Sequence, residues 1–570
     1  MSTLDWKILA AQKKARQLTS VPKEWLARLT SNFPVQTDLD VTSYASTCGL
    51  LDGRELDITH SDVETLLPKL SAGEWTAVEV TTAFCKRAIV AQQLTNCLTE
   101  IFIDRALARA AELDEHYKKT GKVVGLLHGL PVSLKDQVNI KGLESTIGYV
   151  SYINKFADRD AVLAEILEAE GAVLYVKTNV PQTLMWSETH NHIFGRTLNP
   201  YNRSLAAGGS SGGEGALIAL RGSPLGVGSD LAGSVRIPSA FCGIYGLRPS
   251  TGRIPYSGCA NSIEGQDSLL SVLGPMSNSI AGLRLFMKTV VNAKPWTKDP
   301  LGACKRWSEE EYQLADHGGG KQLCFAVLWD DGIVAPHPPI LRGLEMTKEA
   351  LIRAGHKVID WVPLKHEEIC ECAVRIYTAG SKEDFEVVTA VTGEPIIRSM
   401  FPETVDTPSV HDYIGQGISA YQLWQVQKKR RDLREEYLRH WQDTITITGT
   451  GRPVDAIISP VAPVAAPPHG HGRTMNRAYY TMVFNVLDYS ALAIPVSKVS
   501  QRLDVQRERQ TFFNDHDKAH HDSYNPATFA NAPIAIQVVG RTMQEEAVLA
   551  MSEIVDAALK ASQRSSTTKL

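Results

Sequence analysis

The sequence contains no apolar run approaching 18 residues, which excludes a conventional membrane-spanning helix. It also lacks an excess of basic charge. Its 59 lysines and arginines stand against 63 acidic residues, so nothing favours nucleic-acid binding. The N-terminal MSTLDWKILAAQ is charged early and has no apolar core segment, and no secretory signal is predicted. No segment repeats with a fixed period, which excludes solenoids. A cytoplasmic protein is therefore expected.

Cysteine is sparse and shows no paired pattern. The nine cysteines are an odd number, and the close pair Cys370 and Cys372 does not have the spacing of a zinc site. Reduced, mostly buried thiols in an intracellular protein are expected. HEEIC at 366–370 departs from the H-E-x-x-H zinc motif at its last position, so we predict no metal and no other cofactor. The C-terminal TTKL is one residue away from the peroxisomal S-K-L signal, which leaves that compartment as an alternative.

Two periodicities alternate along the chain. Apolar residues recur at helical spacing in 78–94 and 106–119, whereas 172–181 is rich in β-branched residues and ends at a proline. In PVSLK at 131–135, apolar and polar residues alternate with the period of a strand. Helices that alternate with short apolar strands predict an α/β fold. The polar stretch 501–526 is predicted to be a surface loop.

The segment GGSSGG at 208–213 precedes a predicted helix with Glu214 in its first turn. No lysine follows the glycines as a phosphate-binding loop requires, and G-x-G-x-x-G is not matched. G-x-S-x-G is matched twice, centred on Ser210 or on Ser211. The preceding NPYNRSLAA is loop-like, however, whereas a nucleophile elbow follows a strand. An α/β-hydrolase elbow and a simple glycine turn before a helix both stay open at this point.

A second turn and one lysine are candidates for chemistry. GSDLAGSVRIPS at 228–239 places Ser234 before a predicted helix, where consecutive backbone N–H groups can bind an oxyanion. An N-cap role for Ser234 is the structural alternative, and the two roles are compatible. Lys135 ends the strand PVSLK, and burial lowers a lysine pKa enough for it to act as a base. A solvated surface lysine is the alternative.

These three segments together resemble the amidase signature family, and within it the fungal acetamidase-like branch. The resemblance covers roughly 65–560 and is densest over 124–255, in GLPVSLKD, GGSSGGEGA and GSDLAGSVRIPSAFCGIYGLRPS. It implies an α/β amidase signature fold, a large mixed β-sheet surrounded by helices. We expect a single large catalytic domain at 61–560, an N-terminal helical arm at 1–60 and a flexible tail at 561–570.

The resemblance implies an amide hydrolase with a Ser–cis-Ser–Lys triad. Ser234 would be the nucleophile, Ser210 the bridging serine after a cis Gly209–Ser210 peptide, and Lys135 the base. The oxyanion hole would be the backbone N–H groups of four residues: Leu231, Ala232, Gly233 and Ser234. Where the family usually has two glycines before the nucleophile, this chain has alanine first, and a positive φ at Ala232 would be unfavourable. Positions that the family uses as scaffold are Ser211, Asp230 and Arg236.

The resemblance also implies a substrate pocket. Its expected walls are Leu184, Met185, Ser210, Tyr149 and Trp186, together with the region 454–495. An acetamidase-like activity on a small-molecule amide is expected, with fatty-acid or aryl amides as alternatives and homodimerisation left open. A non-catalytic or transamidation subunit on the same fold is the alternative from a different class of protein.

Overall fold

The computed structural model describes residues 5–29, 33–397 and 417–567. Its strands, numbered in chain order, are β1 (Leu98–Ile101), β2 (Pro131–Lys135), β3 (Val173–Thr178), β4 (His190–Asn191), β5 (Gly195–Arg196), β6 (Leu225–Asp230), β7 (Tyr245–Arg248), β8 (Val272–Ser277), β9 (Cys324–Val327), β10 (Lys357–Asp360), β11 (Ala456–Pro460), β12 (Ala491–Lys498) and β13 (Pro533–Val539). Strands β4 and β5 form a short hairpin, and the other eleven form one large sheet.

Helices surround this sheet. In chain order the helices of the described ranges are Trp6–Thr19, Lys23–Arg28, Tyr44–Thr47, Gly53–His60, Val63–Ser71, Ala77–Thr95, Ile103–Thr120, Val162–Ala169, Gly212–Ala219, Arg236–Phe241, Ile280–Asn292, Glu309–Tyr312, Pro338–Arg353, His366–Thr378, Ser381–Ala390, Ala420–Asp443, Ile445–Thr448, Gly472–Met475, Tyr479–Leu487, Asp515–Asp522 and Glu545–Thr567, with short 3-10 turns at Val150–Tyr152, Pro295–Thr297 and Ala315–Gly320. The predicted α/β class is confirmed. None of the helices within these ranges is long and apolar enough to cross a bilayer.

The sheet is mixed, with the order β1-β3-β2-β6-β8-β7-β12-β13-β11-β9-β10. Strand β2 is parallel to both β3 and β6, and β9 is parallel to both β10 and β11, whereas the remaining neighbours are antiparallel. Leu134 on β2 lies opposite Val227 on β6, so the carboxyl ends of these two strands meet at the same edge. In α/β sheets this edge is where ligands bind.

Strand β2 is buried along its whole length, as expected of a parallel strand covered on both faces. The alternation in PVSLK therefore does not separate a dry face from a solvated one. Ser133 and Lys135 are buried as completely as Val132 and Leu134. The polar face of the strand is instead directed at other buried polar groups, with Ser133 donating a hydrogen bond of 2.6 Å to Glu214.

The N-terminal helices pack against the edge of the sheet. The buried amide of Gln17 donates hydrogen bonds of 2.7 and 3.1 Å to the carbonyls of Leu98 and Thr99, the first residues of β1. These bonds tie the predicted arm to the body, because backbone acceptors at a sheet edge would otherwise lack partners. The domain boundary at residue 60 itself stays a prediction.

Two segments differ from the sequence-based expectation. The last helix extends to Thr567, so residues 561–567 of the predicted tail are helical, and 568–570 lie outside the described residues. The predicted surface loop 501–526 contains the helix Asp515–Asp522, capped by the Asn514 side chain. Asp517 in this helix is fully buried and pairs with Arg509 at 2.9 Å. A buried carboxylate with a cation partner orders a stretch whose polar composition pointed to solvent.

The cysteine expectation is confirmed at the structural level. All nine cysteines are free, and seven of them are buried. Burial raises the pKa of the Cys97 thiol to about 12, as it does for most of the others, so these thiols are protonated and inert at neutral pH.

Candidate active site

Lys135 lies at the end of β2 and joins the two turns singled out in the sequence. Its Nζ hydrogen bonds to Ser210 Oγ at 2.7 Å and to Ser229 Oγ at 2.7 Å. The lysine is fully buried. The three residues come from β2, from the GGSSGG turn and from β6, and the parallel register of β2 and β6 brings them together. The surface-lysine alternative is therefore wrong.

The first turn is shaped by glycine. The Gly209–Ser210 peptide bond is cis, as the family resemblance implied. A Cβ at residue 209 would lie 2.6 Å from the carbonyl oxygen of Trp186 and 2.7 Å from the amide nitrogen of Glu188. Those distances are shorter than any real Cβ contact, so the close approach of two backbones requires glycine here.

The paired serines have different surroundings. The hydroxyl of Ser211 accepts a 3.2 Å hydrogen bond from the Ser229 amide and donates one of 3.3 Å to the Ser229 carbonyl. Its own amide donates to the carbonyl of Ser234 at 3.2 Å, which ties the first turn to the second. Residues 199–207 contain no strand, so the nucleophile-elbow alternative lacks its structural context. Ser210, not Ser211, meets the lysine.

The second turn connects β6 to the helix Arg236–Phe241. Ser234 is partly exposed there, and its hydroxyl makes no hydrogen bond to any described residue. The N-cap residue of this helix is Val235, whose side chain makes no capping hydrogen bond. The N-cap alternative for Ser234 is therefore wrong, and its hydroxyl is available to a ligand.

The backbone of this turn departs in part from the expected oxyanion hole. Gly233, with φ of +125°, is in the region that favours glycine, whereas Ala232 is not, so the alanine causes no backbone strain. The Gly233 N–H donates to Asp230 at 2.8 Å and is not free. The N–H groups of Leu231, Ala232 and Ser234 donate to no other group among the described residues. These three donors are available for an oxyanion.

Two distant side chains hold the turn from outside. The hydroxyl of Tyr377 donates to the Leu231 carbonyl at 2.8 Å, and that of Thr481 donates to the Ala232 carbonyl at 2.6 Å. Because each peptide group is planar, a fixed carbonyl also fixes the N–H of the following residue. The orientation of the Ala232 and Gly233 amides therefore depends on residues about 150 and 250 positions further along the chain.

A buried ion pair supports the turn from below. Arg236 Nε and Nη2 each donate to the Asp230 carboxylate at 3.0 Å, and Asn485 adds a hydrogen bond of 2.8 Å. Burial alone would raise the pKa of Asp230, but Arg236 holds it well below the usual range. Both residues of the pair are fully buried, as expected for the scaffold positions. Removing one partner would leave an unpaired buried charge, which is strongly destabilising.

Burial sets the protonation of the lysine. It lowers the pKa of Lys135 to about 7, against the opposing influence of Asp230 and Glu214. Burial also raises the pKa of Glu214 to about 8, against hydrogen bonds from Ser133 and Thr178. A neutral Glu214 and a neutral Lys135 are thus both accessible near pH 7, since each charged form is disfavoured in the dry interior.

A chain of hydrogen bonds leads away from the lysine. Ser229 Oγ donates to Gln137 Oε1 at 2.6 Å, and the Gln137 amide nitrogen donates to the Tyr256 hydroxyl at 2.7 Å and to the Ala260 carbonyl at 3.2 Å. A carbonyl only accepts, so the amide of Gln137 has a defined orientation and its oxygen faces Ser229. The hydroxyl proton of Ser229 is therefore donated to Gln137, so the Ser229 oxygen accepts a hydrogen bond from Lys135. This arrangement directs one N–H of Lys135 away from Ser210.

An apolar cavity of about 490 Å³ opens beside Ser234. It is lined by residues from five parts of the chain, namely Leu184, Met185, Trp186, Ser187, Gly209, Leu231, Ala232, Ser234, Ile237, Val374, Tyr377, Thr378, Ser381, Phe385, Thr474, Asn476, Arg477, Ala478, Tyr479 and Met482. Leu184, Met185 and Trp186 thus lie where a substrate pocket was expected, and part of the 454–495 region does as well.

Two of the expected pocket residues do not line this cavity. Tyr149 is fully buried behind the wall, in an apolar cluster with Leu184 and Phe385. It supports the wall and does not form it, because its neighbours occupy the space between it and the cavity. Ser210 is only 2% exposed, and its hydroxyl contacts Lys135.

Several side chains of the site could not be identified from the sequence. Tyr377, Thr481 and Asn485 lie on helices far along the chain and reach the turn only through the fold. Gln137 follows Lys135 closely, but its role depends on a hydrogen bond to Ser229 across two strands. The described residues contain no cluster of three or more His, Cys, Asp or Glu side chains placed to hold a metal ion.

Comparison with known proteins connects this geometry to a family. A family model described as Amidase matches residues 79–549. The chain is 42% identical to an acetamidase of Emericella nidulans over 556 residues, which covers 96% of this chain and 97% of that protein. It is 40% identical to an acetamidase of Aspergillus oryzae, over 97% of this chain and 99% of that one.

A solved structure shows the same architecture. A fatty acid amide hydrolase superposes with a TM-score of 0.85 at 32% sequence identity, covering 97% of this chain and 94% of that chain. The expected fold, one large mixed sheet surrounded by helices in a single domain, is therefore confirmed.

Proposed function

Because this chain belongs to the amidase signature family of amide hydrolases, we propose that it cleaves amides through an acyl-enzyme formed on Ser234. Ser210 relays the proton and Lys135 is the base. The observation that carries this proposal is the 2.7 Å contact between Lys135 Nζ and Ser210 Oγ in a fully buried setting. A lysine in such a position is neutral at moderate pH and has a lone pair for a proton.

In the proposed acylation step two protons move, each across one hydrogen bond. Neutral Lys135 takes the proton of Ser210, and Ser210 takes that of Ser234 as the Ser234 oxygen attacks the amide carbonyl. Reversal of this relay protonates the leaving nitrogen, which an amide requires because an amide anion is a very poor leaving group. Water, deprotonated by the same relay, then hydrolyses the ester on Ser234 and releases the carboxylate.

The relay needs a hydrogen bond between Ser234 and Ser210. In this structure the Ser234 hydroxyl is free and points to no described partner. A serine hydroxyl turns readily, and catalytic hydrogen bonds that are long or absent without substrate often form in the complex. We propose that Ser234 turns toward Ser210 when an amide fills the cavity.

The developing negative charge has three candidate donors. The N–H groups of Leu231, Ala232 and Ser234 belong to the same turn as the Ser234 hydroxyl and donate to no other group among the described residues. Donors that are already oriented before the reaction stabilise an oxyanion most, and one such donor typically contributes about 10²–10³-fold in kcat. The contact of Tyr377 with the Leu231 carbonyl, which fixes the Ala232 amide, supports this orientation.

The names of the two acetamidase relatives point to a short acyl group, whereas the cavity has room for larger ones. Its volume of about 490 Å³ is in the range of pockets that enclose whole drug-sized ligands. A two-carbon acyl group would occupy a small part of it. We therefore propose an acetamidase-like amide hydrolase as the main function. Hydrolysis of longer aliphatic or aryl amides is the second candidate, favoured by the apolar wall of Leu184, Met185 and Phe385.

A fluorophosphonate probe tests the nucleophile directly. We expect one probe adduct per chain, found by peptide mapping on Ser234, and none on the Ser234→Ala variant. An adduct on Ser210 or Ser211 in the unmodified protein would contradict the assignment. Complete lack of labelling together with no amide turnover would favour a non-catalytic subunit.

A screen over acyl length separates the two substrate candidates. Primary amides from acetamide to decanamide, with benzamide as an aryl probe, would be compared by kcat/KM. A maximum at acetamide supports the acetamidase-like function, and a rise with chain length supports the second. Enlarging the cavity with Met185→Ala should raise kcat/KM for the longest amides relative to acetamide, because that side chain lines the cavity.

A further inference from the structure

A second cavity, separate from the one at Ser234, is rich in arginine. It encloses about 650 Å³ between the helix Ala420–Asp443, the C-terminal end of the helix Tyr479–Leu487 and the loop before the last helix. Arg430 and Arg434 line it from the first helix, and Arg541 lines it from the loop. We call these three residues the arginine cluster. Its volume is in the range of pockets that hold small molecules.

The arginine cluster forms no ion pair within the described part of the chain. No carboxylate there comes within 4.0 Å of the guanidinium groups of Arg430, Arg434 or Arg541. The nearby acids are paired with other arginines. Asp488 pairs with Arg248 at 2.7 Å, and Glu435, which also lines the cavity, pairs with Arg439 at 3.5 Å.

The cavity also contains a polar group without a partner. Tyr489 lines it and is only 5% exposed, yet its buried hydroxyl makes no hydrogen bond to any described residue. Burial raises the pKa of Tyr489 to about 12, against the opposing positive charges of Arg541 and Arg434. Arg434 and Arg541 line the same cavity as Tyr489. A buried hydroxyl without an acceptor is unusual, and a bound ligand would supply one.

Part of the cluster is held in place before any ligand binds. Arg430 Nε donates to the Val486 carbonyl at 3.0 Å, and its Nη1 donates to the Ser268 carbonyl. Burial lowers the pKa of Arg430, and the positive charge of Arg434 lowers it further, against the opposing influence of Asp488. An oriented guanidinium loses less side-chain freedom on binding, and its planar fork matches a phosphate or carboxylate.

We propose that this cavity is a binding site for a phosphate group of a small molecule, held by Arg430, Arg434 and Arg541 and by the hydroxyl of Tyr489. Three guanidinium groups without a carboxylate partner match a ligand of two or more negative charges, and a pyrophosphate group provides enough oxygens for all of them. Because the Tyr489 hydroxyl is buried in this structure, its side chain turns toward the cavity on binding and donates its proton to a further oxygen. A free phosphorylated compound and a phosphorylated lipid headgroup share this chemistry.

Isothermal titration with inorganic pyrophosphate tests the site in the full-length protein. We expect saturable one-to-one binding that weakens with added salt, because the attraction is between charges. Arg434→Gln and Arg541→Gln should each reduce the affinity about tenfold or more. The matched control is Lys429→Gln, which removes one positive charge from the same helix at an exposed ion pair with Glu368. Neither residue lines the cavity, so this variant should change the affinity less than twofold.

A parallel experiment identifies the source of the phosphate group. Phosphatidylcholine vesicles with and without a phosphoinositide would be sedimented with the protein. Binding of soluble pyrophosphate assigns a free phosphorylated compound, and binding only to phosphoinositide vesicles, lost in Arg434→Gln, assigns a headgroup. Absence of both, an equal loss in Lys429→Gln, or tighter binding of citrate than of pyrophosphate would each overturn the proposal. Amide turnover by the variants reports folding, since none of these arginines lines the cavity at Ser234.

Discussion

Two fully buried lysines lie on neighbouring parallel strands, and their surroundings differ. Lys135 on β2 bonds to the hydroxyls of Ser210 and Ser229. Lys177 on β3 bonds to the backbone carbonyl of Glu144 at 2.7 Å and to the hydroxyl of Ser145 at 2.6 Å. Burial lowers the pKa of both lysines. Burial alone therefore does not identify a base.

The partners distinguish the two lysines. A backbone carbonyl has no proton to give, so Lys177 acts there as a donor that holds the loop at Glu144 and Ser145. Ser210 has a hydroxyl proton that the lone pair of a neutral Lys135 can accept, and in the proposed relay Ser210 connects the lysine to the partly exposed Ser234. The comparison teaches that a lysine becomes a candidate base where it meets a hydroxyl next to a substrate cavity.

The largest expected effect is at the first lysine. Lys135→Ala should lower kcat by about 10³-fold or more, because loss of one member of a catalytic unit disables the whole unit. Steady-state kinetics on the best amide would measure this, with circular dichroism to show that the variant is folded. A folded variant that keeps a tenth of the activity would end the distinction between the two lysines.

The next largest effect separates the adjacent serines. Ser210→Ala should lower kcat by about 10²-fold or more, because it interrupts the relay between Lys135 and Ser234. Ser211→Ala should lower kcat about tenfold at most, since the Ser211 hydroxyl hydrogen bonds only to the backbone of Ser229 among the described residues. Both variants would be assayed side by side with the same amide. Equal losses, or the reverse order, would contradict the roles given to the two residues.

A smaller effect is expected at Gln137. Gln137→Leu removes the acceptor of the Ser229 proton, which then competes for the lone pair of Lys135, and kcat should fall about tenfold with KM unchanged. Gln137→Glu keeps the acceptor but adds a negative charge, which should raise the pKa of Lys135 and move the acid limb of the pH profile upward by about one unit. Profiles of kcat/KM against pH measure both. An unchanged limb in Gln137→Glu would argue for a purely structural role.

The smallest effect on activity is expected at the second lysine. Lys177→Met should leave kcat within about tenfold and the pH profile unchanged, while unfolding free energy falls by about 1–3 kcal/mol because buried acceptors lose their donor. Urea denaturation would measure the stability, and the same amide assay the activity. A shifted acid limb in this variant would mean that Lys177 also contributes to proton transfer.

Much of the site was predictable because it depends on local sequence. The glycines around Ser210, the turn before the helix at Arg236 and the strand that ends at Lys135 are each specified within a few residues. The family resemblance then assigned roles, and it also implied the cis peptide at Gly209 that the structure contains. The α/β class followed from the alternation of two periodicities.

What the sequence did not predict depends on contacts between distant segments. The Gly233 amide is bound by Asp230 and so differs from the expected donor, which only the folded turn reveals. Tyr149 was expected in the pocket wall, but it is buried in a cluster with Leu184 and Phe385. Side chains at 501–526 read as solvated, although Asp517 is buried by a partner within the same stretch.

The central claim is that Lys135 acts as a neutral base, and the pH dependence of kcat/KM tests it most directly. Its pKa is lowered to about 7, so its neutral fraction, and with it the activity, should rise through pH 7 and level off above. A lysine needed as a charged donor would give the opposite profile, with activity lost as pH rises. Lys135→Arg should be inactive over the whole range, because a guanidinium does not deprotonate. A folded Lys135→Arg enzyme with near wild-type activity and the same profile would contradict the account.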